Sequence, residues 1–145
     1  MAKMTINFPT DLQKAIEKVS DKEEYLATKA LEAGASPVEA QIRANLESVI
    51  GKGERTESTG QLLSSLGSSP VKTANDGWDI KVGFAESRTD GNRNPEIAAY
   101  MEYGTSNGRP ARPFISKAKK STKNTAIQAM SNEWDSQVSK MLKGV

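Results

Sequence analysis

Between Trp78 and Phe84 the apolar side chains fall on every second residue, Trp78, Ile80, Val82 and Phe84, with Asp79, Lys81 and Gly83 between them. On both sides of that stretch the apolar residues recur at steps of three and four. A period of two gives a strand one buried and one wet face, and a period near 3.6 does the same for a helix. A chain with the strand period in its middle and the helical period at its ends is expected to place helices on one face of a small antiparallel sheet.

The local signals fill in that plan. Thr10-Asp11 can start a helix, because a short oxygen-bearing side chain accepts from free backbone N–H groups, and Leu12, Ile16 and Val19 follow at helical spacing. Tyr25, Leu26, Ala30 and Ala33 extend the pattern, with Asp21 as a point of restart or continuation and Gly34 as a weak point. Ser36-Pro37-Val38-Glu39 combines a capping serine, a first-turn proline and a capping-box glutamate, ahead of an apolar face at Val38, Ile42, Leu46, Val49 and Ile50. These signals predict a long N-terminal helix, kinked or split near Pro37. Residues 51–58 read as a flexible polar loop, and residues 59–66 as a short helix burying Leu62, Leu63 and Leu66.

Residues 71–73 and 78–84 read as two strands joined at Asn75-Asp76-Gly77, where an Asp-Gly pair suits a hairpin turn. Residues 85–93 read as a second polar loop. Asn94-Pro95 resembles a cap and first-turn proline, with Ile97, Tyr100 and Met101 in a short helix (a strand is the alternative) that Gly104 ends. Phe114 opens a long C-terminal helix along Ile115, Ala118, Ile127, Met130, Trp134, Val138 and Met141, with Gly144 as its stop. The expected fold is α+β: a small antiparallel β-sheet packed by the long N-terminal helix and the long C-terminal helix. One domain is expected over residues 1–145.

Chemistry is narrowed by what is missing. The chain holds neither cysteine nor histidine, so thiolate nucleophiles, thiolate metal sites and the side chain most used as general base near neutral pH are unavailable to it. Ser116-x-x-Lys119 matches a Ser-Lys hydrolase spacing, but Lys117 and Lys120 crowd it in a polar stretch and no companion motif accompanies it. Gly51-Lys52-Gly53 lacks the spacing of a phosphate loop. Asp76, Asp79, Glu86 and Asp90 match no calcium loop. No catalytic, cofactor-binding or metal-binding residue is assigned, and no cofactor is expected. No apolar run approaches the ~20 residues that span a bilayer, and residues 1–10 lack the apolar stretch of a signal peptide. A protein that is soluble and made in the cytoplasm, with no membrane contact, is expected.

Charge is distributed unevenly. Residues 1–50 hold six basic and eight acidic side chains, residues 51–108 again six and eight, and residues 109–145 eight and two. Arg109, Arg112, Lys117, Lys119, Lys120 and Lys123 fall in one segment without an acid. Such a cluster is a solvated helix face, a contact for an acidic protein surface, or a phosphate-neutralising patch. Aromatics for base stacking are scarce beside it, which argues against reading of base sequence.

Three further pieces occur in order: Thr59-Gly60-x-Leu62-x-x-Ser65-Leu66, then Glu102-Tyr103-Gly104-Thr105, then Arg112-Pro113-Phe114-Ile115-x-x-Ala118. Together they resemble the tail-component (tail-completion or neck) proteins of long-tailed double-stranded DNA bacteriophages. The resemblance covers residues 59–118, with the helical N-terminus matching more loosely. It departs from the family pattern at Ile97-Ala98, where an aromatic is common before the alanine. Each piece also has a fold-defining reading. Thr59 can cap, the leucines bury, Gly104 permits a sharp exit, and Pro113 with Phe114 starts and pins a helix.

The resemblance implies a structural virion protein of the tail or neck. Its expected form is a homo-oligomeric ring, six subunits by the symmetry of the tail tube. That ring would complete the head-proximal end of the tail and join it to head-completion or connector proteins. Its expected partners are itself, the tail tube protein and the connector, with passing contact with phage DNA. Arg109, Arg112, Lys117, Lys119, Lys120 and Lys123 are the expected interface. The alternative is a non-specific DNA-binding accessory protein that uses the basic 109–123 segment.

Overall fold

A helix, α1 (Thr10–Ser20), begins at Thr10 in a computed structural model that describes residues 4–5, 7, 9–50, 60–86 and 91–143. Pro9 holds the cap position and no side-chain capping bond forms there, so Thr10 is the first helical residue and not a cap. The chain tightens at its end, with Asp21 donating to the Glu17 carbonyl and Lys22 to the Val19 carbonyl. A second helix then begins as Leu26 donates back to Lys22. This helix, α2 (Glu23–Val49), runs unbroken through Gly34 and Pro37. The N-terminal helical region therefore divides at Asp21-Lys22 and not at the proline. Pro37 removes one backbone donor. Leu26, Ala30, Gly34 and Ala35 before it and Ile42 and Leu46 after it are all buried, so packing along the full length overrides the local restart signal. Ser36 is exposed within the helix and caps nothing.

The next residues, Gln61–Ser64, make the short helix α3, entered from Gly60 in left-handed conformation. Four short strands follow: β1 (Leu66–Ser68), β2 (Lys72–Ala74), β3 (Gly77–Asp79) and β4 (Val82–Phe84). They form two antiparallel pairs, with Leu66 opposite Phe84 in one and Lys72 opposite Asp79 in the other. Between the pairs the three residues 69–71 face only Ile80 and Lys81, so the ribbon carries an extra residue on one side, as in a β-bulge. Ser69 bridges the gap, donating its N–H to the Lys81 carbonyl at 2.7 Å and accepting the Lys81 N–H on Oγ at 3.0 Å. The period-two stretch is thus two strands and not one, and β1 pairs with the second of them.

Asn94–Tyr103 form α4, and Ile115–Leu142 form α5. Asn94 is the first residue of α4, not its cap, and its buried amide donates to the Ala85 carbonyl at the end of β4. The loops at 51–58 and 87–90, and the stop at Gly144, lie outside the described residues.

α2 and α5 pack antiparallel. Asn45 donates to the Phe114 carbonyl at the start of α5, Gly34 abuts Met130 near its middle, and Lys18 of α1 donates to the Met141 carbonyl near its end. Ala118, Thr122 and Ala126 form the buried stripe of α5, continued by the half-buried Met130, Trp134 and Val138. Ile127, expected on that face, is largely exposed, one step off the four-residue repeat. The apolar core gathers at one end of this helix pair, where Ile42, Leu46, Leu62, Leu66, Ala98, Phe114 and Ala118 meet and Val82 and Phe84 close over them. The Phe84 and Phe114 rings meet edge to face, with centroids 6.0 Å apart.

Candidate functional site

The residues that end α4 and begin α5 are bound to one another. Glu102, in the last turn of α4, is only 4% exposed. Its Oε2 accepts the backbone N–H groups of Phe114 at 2.8 Å and Ile115 at 2.9 Å. Its Oε1 accepts the N–H of Ser116 at 3.0 Å and also the Ser116 hydroxyl. First-turn N–H groups have no carbonyl within their own helix, and a carboxylate placed there also meets the positive end of the helix dipole. Burial pushes the Glu102 carboxyl up. The Ser116 hydroxyl and the N–H groups of Ile115, Ser116 and Phe114 outweigh it, and hold the carboxyl below the ordinary glutamate range.

The chain between these two halves is forced into a tight return. Gly104 has φ 76°, and a Cβ there would lie 2.7 Å from the Arg109 carbonyl oxygen and 2.9 Å from the Ala111 nitrogen. Both the conformation and the space therefore require glycine. Thr105 donates its N–H to Arg109, Gly108 donates to Thr105, and Arg112 donates to Met101 at 2.7 Å. Thr105 Oγ1 is buried without a hydrogen-bond partner among the described residues. Phe114 is fully buried, and Asn45 holds its carbonyl from the α2 side at 3.0 Å.

This rigid frame carries the basic segment. Arg109, Lys117, Lys119, Lys120 and Lys123 are exposed and Arg112 is half-buried. Among the described residues the ion pairs are Lys29 with Glu32 and Arg43 with Glu39, so none of the six cations has an acidic partner within reach. Tyr100 and Tyr103 stand on the same α4, 54% and 77% exposed. Tyr103, expected among the fold-defining residues, is therefore a surface side chain.

Of the remaining signature residues, Leu62, Ser65 and Leu66 are internal supports. Leu62 and Leu66 are buried, and Ser65 donates its hydroxyl to Leu62 while its carbonyl accepts from Ala85. Gly60 stands at the entry to α3, and Thr59 lies outside the described residues. Ser116 gives its hydroxyl to Glu102, and Lys119 points to solvent, so the Ser-Lys spacing builds a helix start. Gly51-Lys52-Gly53 lies outside the described residues. Among the described residues no cluster of acids gathers to hold a metal, and no helix is long and apolar enough to cross a membrane.

Two surface features have no counterpart in the sequence reading. One is an open groove of about 420 Å³ along the outer side of α2, where Glu32, Glu39, Arg43 and Glu47 stand around Ala40 and Ala44. The recurrence of acids at seven- and eight-residue steps is its only trace in the sequence. Arg43 is tied down, donating to the carbonyls of Leu63 and Leu66 as well as to Glu39, so the groove is acidic on balance. The other is the outer face of α1, which buries no residue and leaves Leu12 and Ile16 about half exposed.

No curated protein and no solved structure matches the chain significantly. The HK97-gp10-like family of bacteriophage tail components matches residues 10–104, a span from the start of α1 through the glycine that closes α4. The match takes in Glu102, Tyr103 and Gly104 and stops before the helix that Glu102 anchors. On that span, about two thirds of its length, the chain belongs to the HK97-gp10-like family of bacteriophage tail components.

Proposed function

We propose that this chain is a non-enzymatic structural subunit of the virion. It forms a closed ring that completes the head-proximal end of the tail and joins the tail to the head-completion proteins. The observation that carries the reading is the set of cations at 109–123, without an ion pair among the described residues and held in fixed register by the Glu102 anchor. A surface of one charge sign on a rigid helix start orients a partner and rejects wrong ones. The exposed Tyr100 and Tyr103 add the residue type most favoured at the centre of interfaces. A ring closes through a heterologous contact, in which one patch meets a different patch on the next copy.

Neutralising Arg109, Lys117, Lys120 and Lys123 together tests this. Loss of ring formation or of tail joining, in a chain that still folds, is the expected outcome; unchanged assembly removes the proposal. The same four-fold variant separates the competing DNA reading. If the cations serve phosphates, the parent protein shifts duplex DNA with a steep salt dependence and the variant does not, while assembly is unaffected.

A further inference from the structure

The acidic groove on α2 and the basic start of α5 lie on opposite sides of one helix pair. Buried Ala30 and Gly34 mark the side of α2 that faces α5. Helical spacing puts Glu32, Glu39 and Glu47 on the other side, where Glu32 and Glu47 are exposed. Ala118, Thr122 and Ala126 face α2 in turn, so Lys117, Lys120 and Lys123 point away from it. With the two helices packed between them, the acidic and basic surfaces of one molecule cannot meet each other.

We propose that the α2 groove is the receptor for the basic α5 start of a second copy of this chain. The inference rests on the ring reading above and names the patch that accepts the cations. Three observations favour a second copy as the occupant. The surfaces are opposite in charge. They face in opposite directions, which makes the contact heterologous and able to repeat around a ring. The groove is lined by the small Ala40 and Ala44, which let a neighbouring helix approach, and by three acids. Glu39 shares Arg43 and Glu32 lies 3.9 Å from Lys29, while Glu47 has no ion pair among the described residues. Glu32 and Glu47 are separated by about 22 Å of helix, room for both ends of the Lys117–Lys123 turn pair, itself about 9 Å long, and for Arg109 beyond it.

Reciprocal charge reversal tests the pairing. Glu32→Lys with Glu47→Lys makes one variant, and Lys120→Glu with Lys123→Glu makes another; all four side chains are exposed, and thermal melting followed by circular dichroism checks that both fold. Sedimentation at low ionic strength, alone and beside tail tubes, is then compared with the parent chain. Each variant alone is expected to lose assembly. An equimolar mixture is expected to regain it, because each variant then supplies the surface that the other needs. Assembly of the Glu32/Glu47 variant at the parent level overturns the groove while leaving the ring intact. So does a mixture that stays monomeric although both variants fold. A parent chain that never assembles, even beside tail tubes, overturns the ring reading and the groove with it. Loss of duplex DNA binding in the Lys120/Lys123 variant, with assembly retained, assigns the cations to DNA and overturns the pairing.

Discussion

Glu102 is the residue on which the junction of α4 and α5 turns. One carboxylate satisfies three backbone donors and a hydroxyl, and in doing so fixes where α5 begins and which way its lysines face. Glu102→Gln puts an amide donor among donors, and the expected loss is about 1–3 kcal/mol of stability in denaturant unfolding. The pH dependence has a definite sign. A carboxyl whose pKa is lowered by folding contributes stability that is fully present above the ordinary glutamate range and disappears as the pH falls through the depressed folded value. Part of the acid limb of the stability curve should therefore vanish in Glu102→Gln, and an identical limb in both proteins would show that the anchor is not charged. In the sequence Glu102 was visible only as part of a motif. Its partners lie 12 to 14 residues away across a turn, a separation that no helical or strand period reveals.

At the scale of elements, the sequence was most readable where one signal acted alone. A helix beginning at Thr10, a hairpin turn at Asn75-Asp76 and a helix ending at Gly104 all carry local signals, although neither Thr10 nor Asn94 caps its helix. It was least readable where tertiary packing opposed that chemistry. Ser36-Pro37-Val38-Glu39 looks like a helix start, yet burial on both sides of Pro37 keeps α2 whole. Leu66-Gly67-Ser68 has no alternation and little β-propensity, so β1 exists because β4 offers it hydrogen bonds. Gly34, which looked like a weak point, is a contact point: a Cβ there would lie 2.5 Å from Met130 Cγ. Gly34→Ala sets a gain in helix propensity of about 1 kcal/mol against a shift of the flexible Met130 side chain, and is expected to be near neutral. Gly34→Leu has no such escape and should cost about 1–3 kcal/mol in chemical denaturation. Equal stability of the leucine variant would mean that α2 and α5 are not in close contact at this point.

Over the whole molecule, the separation of charge along the chain becomes a separation in space. The antiparallel packing of α2 against α5 turns the groove acids of α2 and the cations at the start of α5 to opposite faces. In the ring proposed above, each of these two faces meets the opposite face of the next copy. The most direct test is to image the purified chain, alone and mixed with tail tubes, by electron microscopy. A closed ring seated on one end of the tube is the predicted result. Single particles that neither close on one another nor attach to a tube would contradict it.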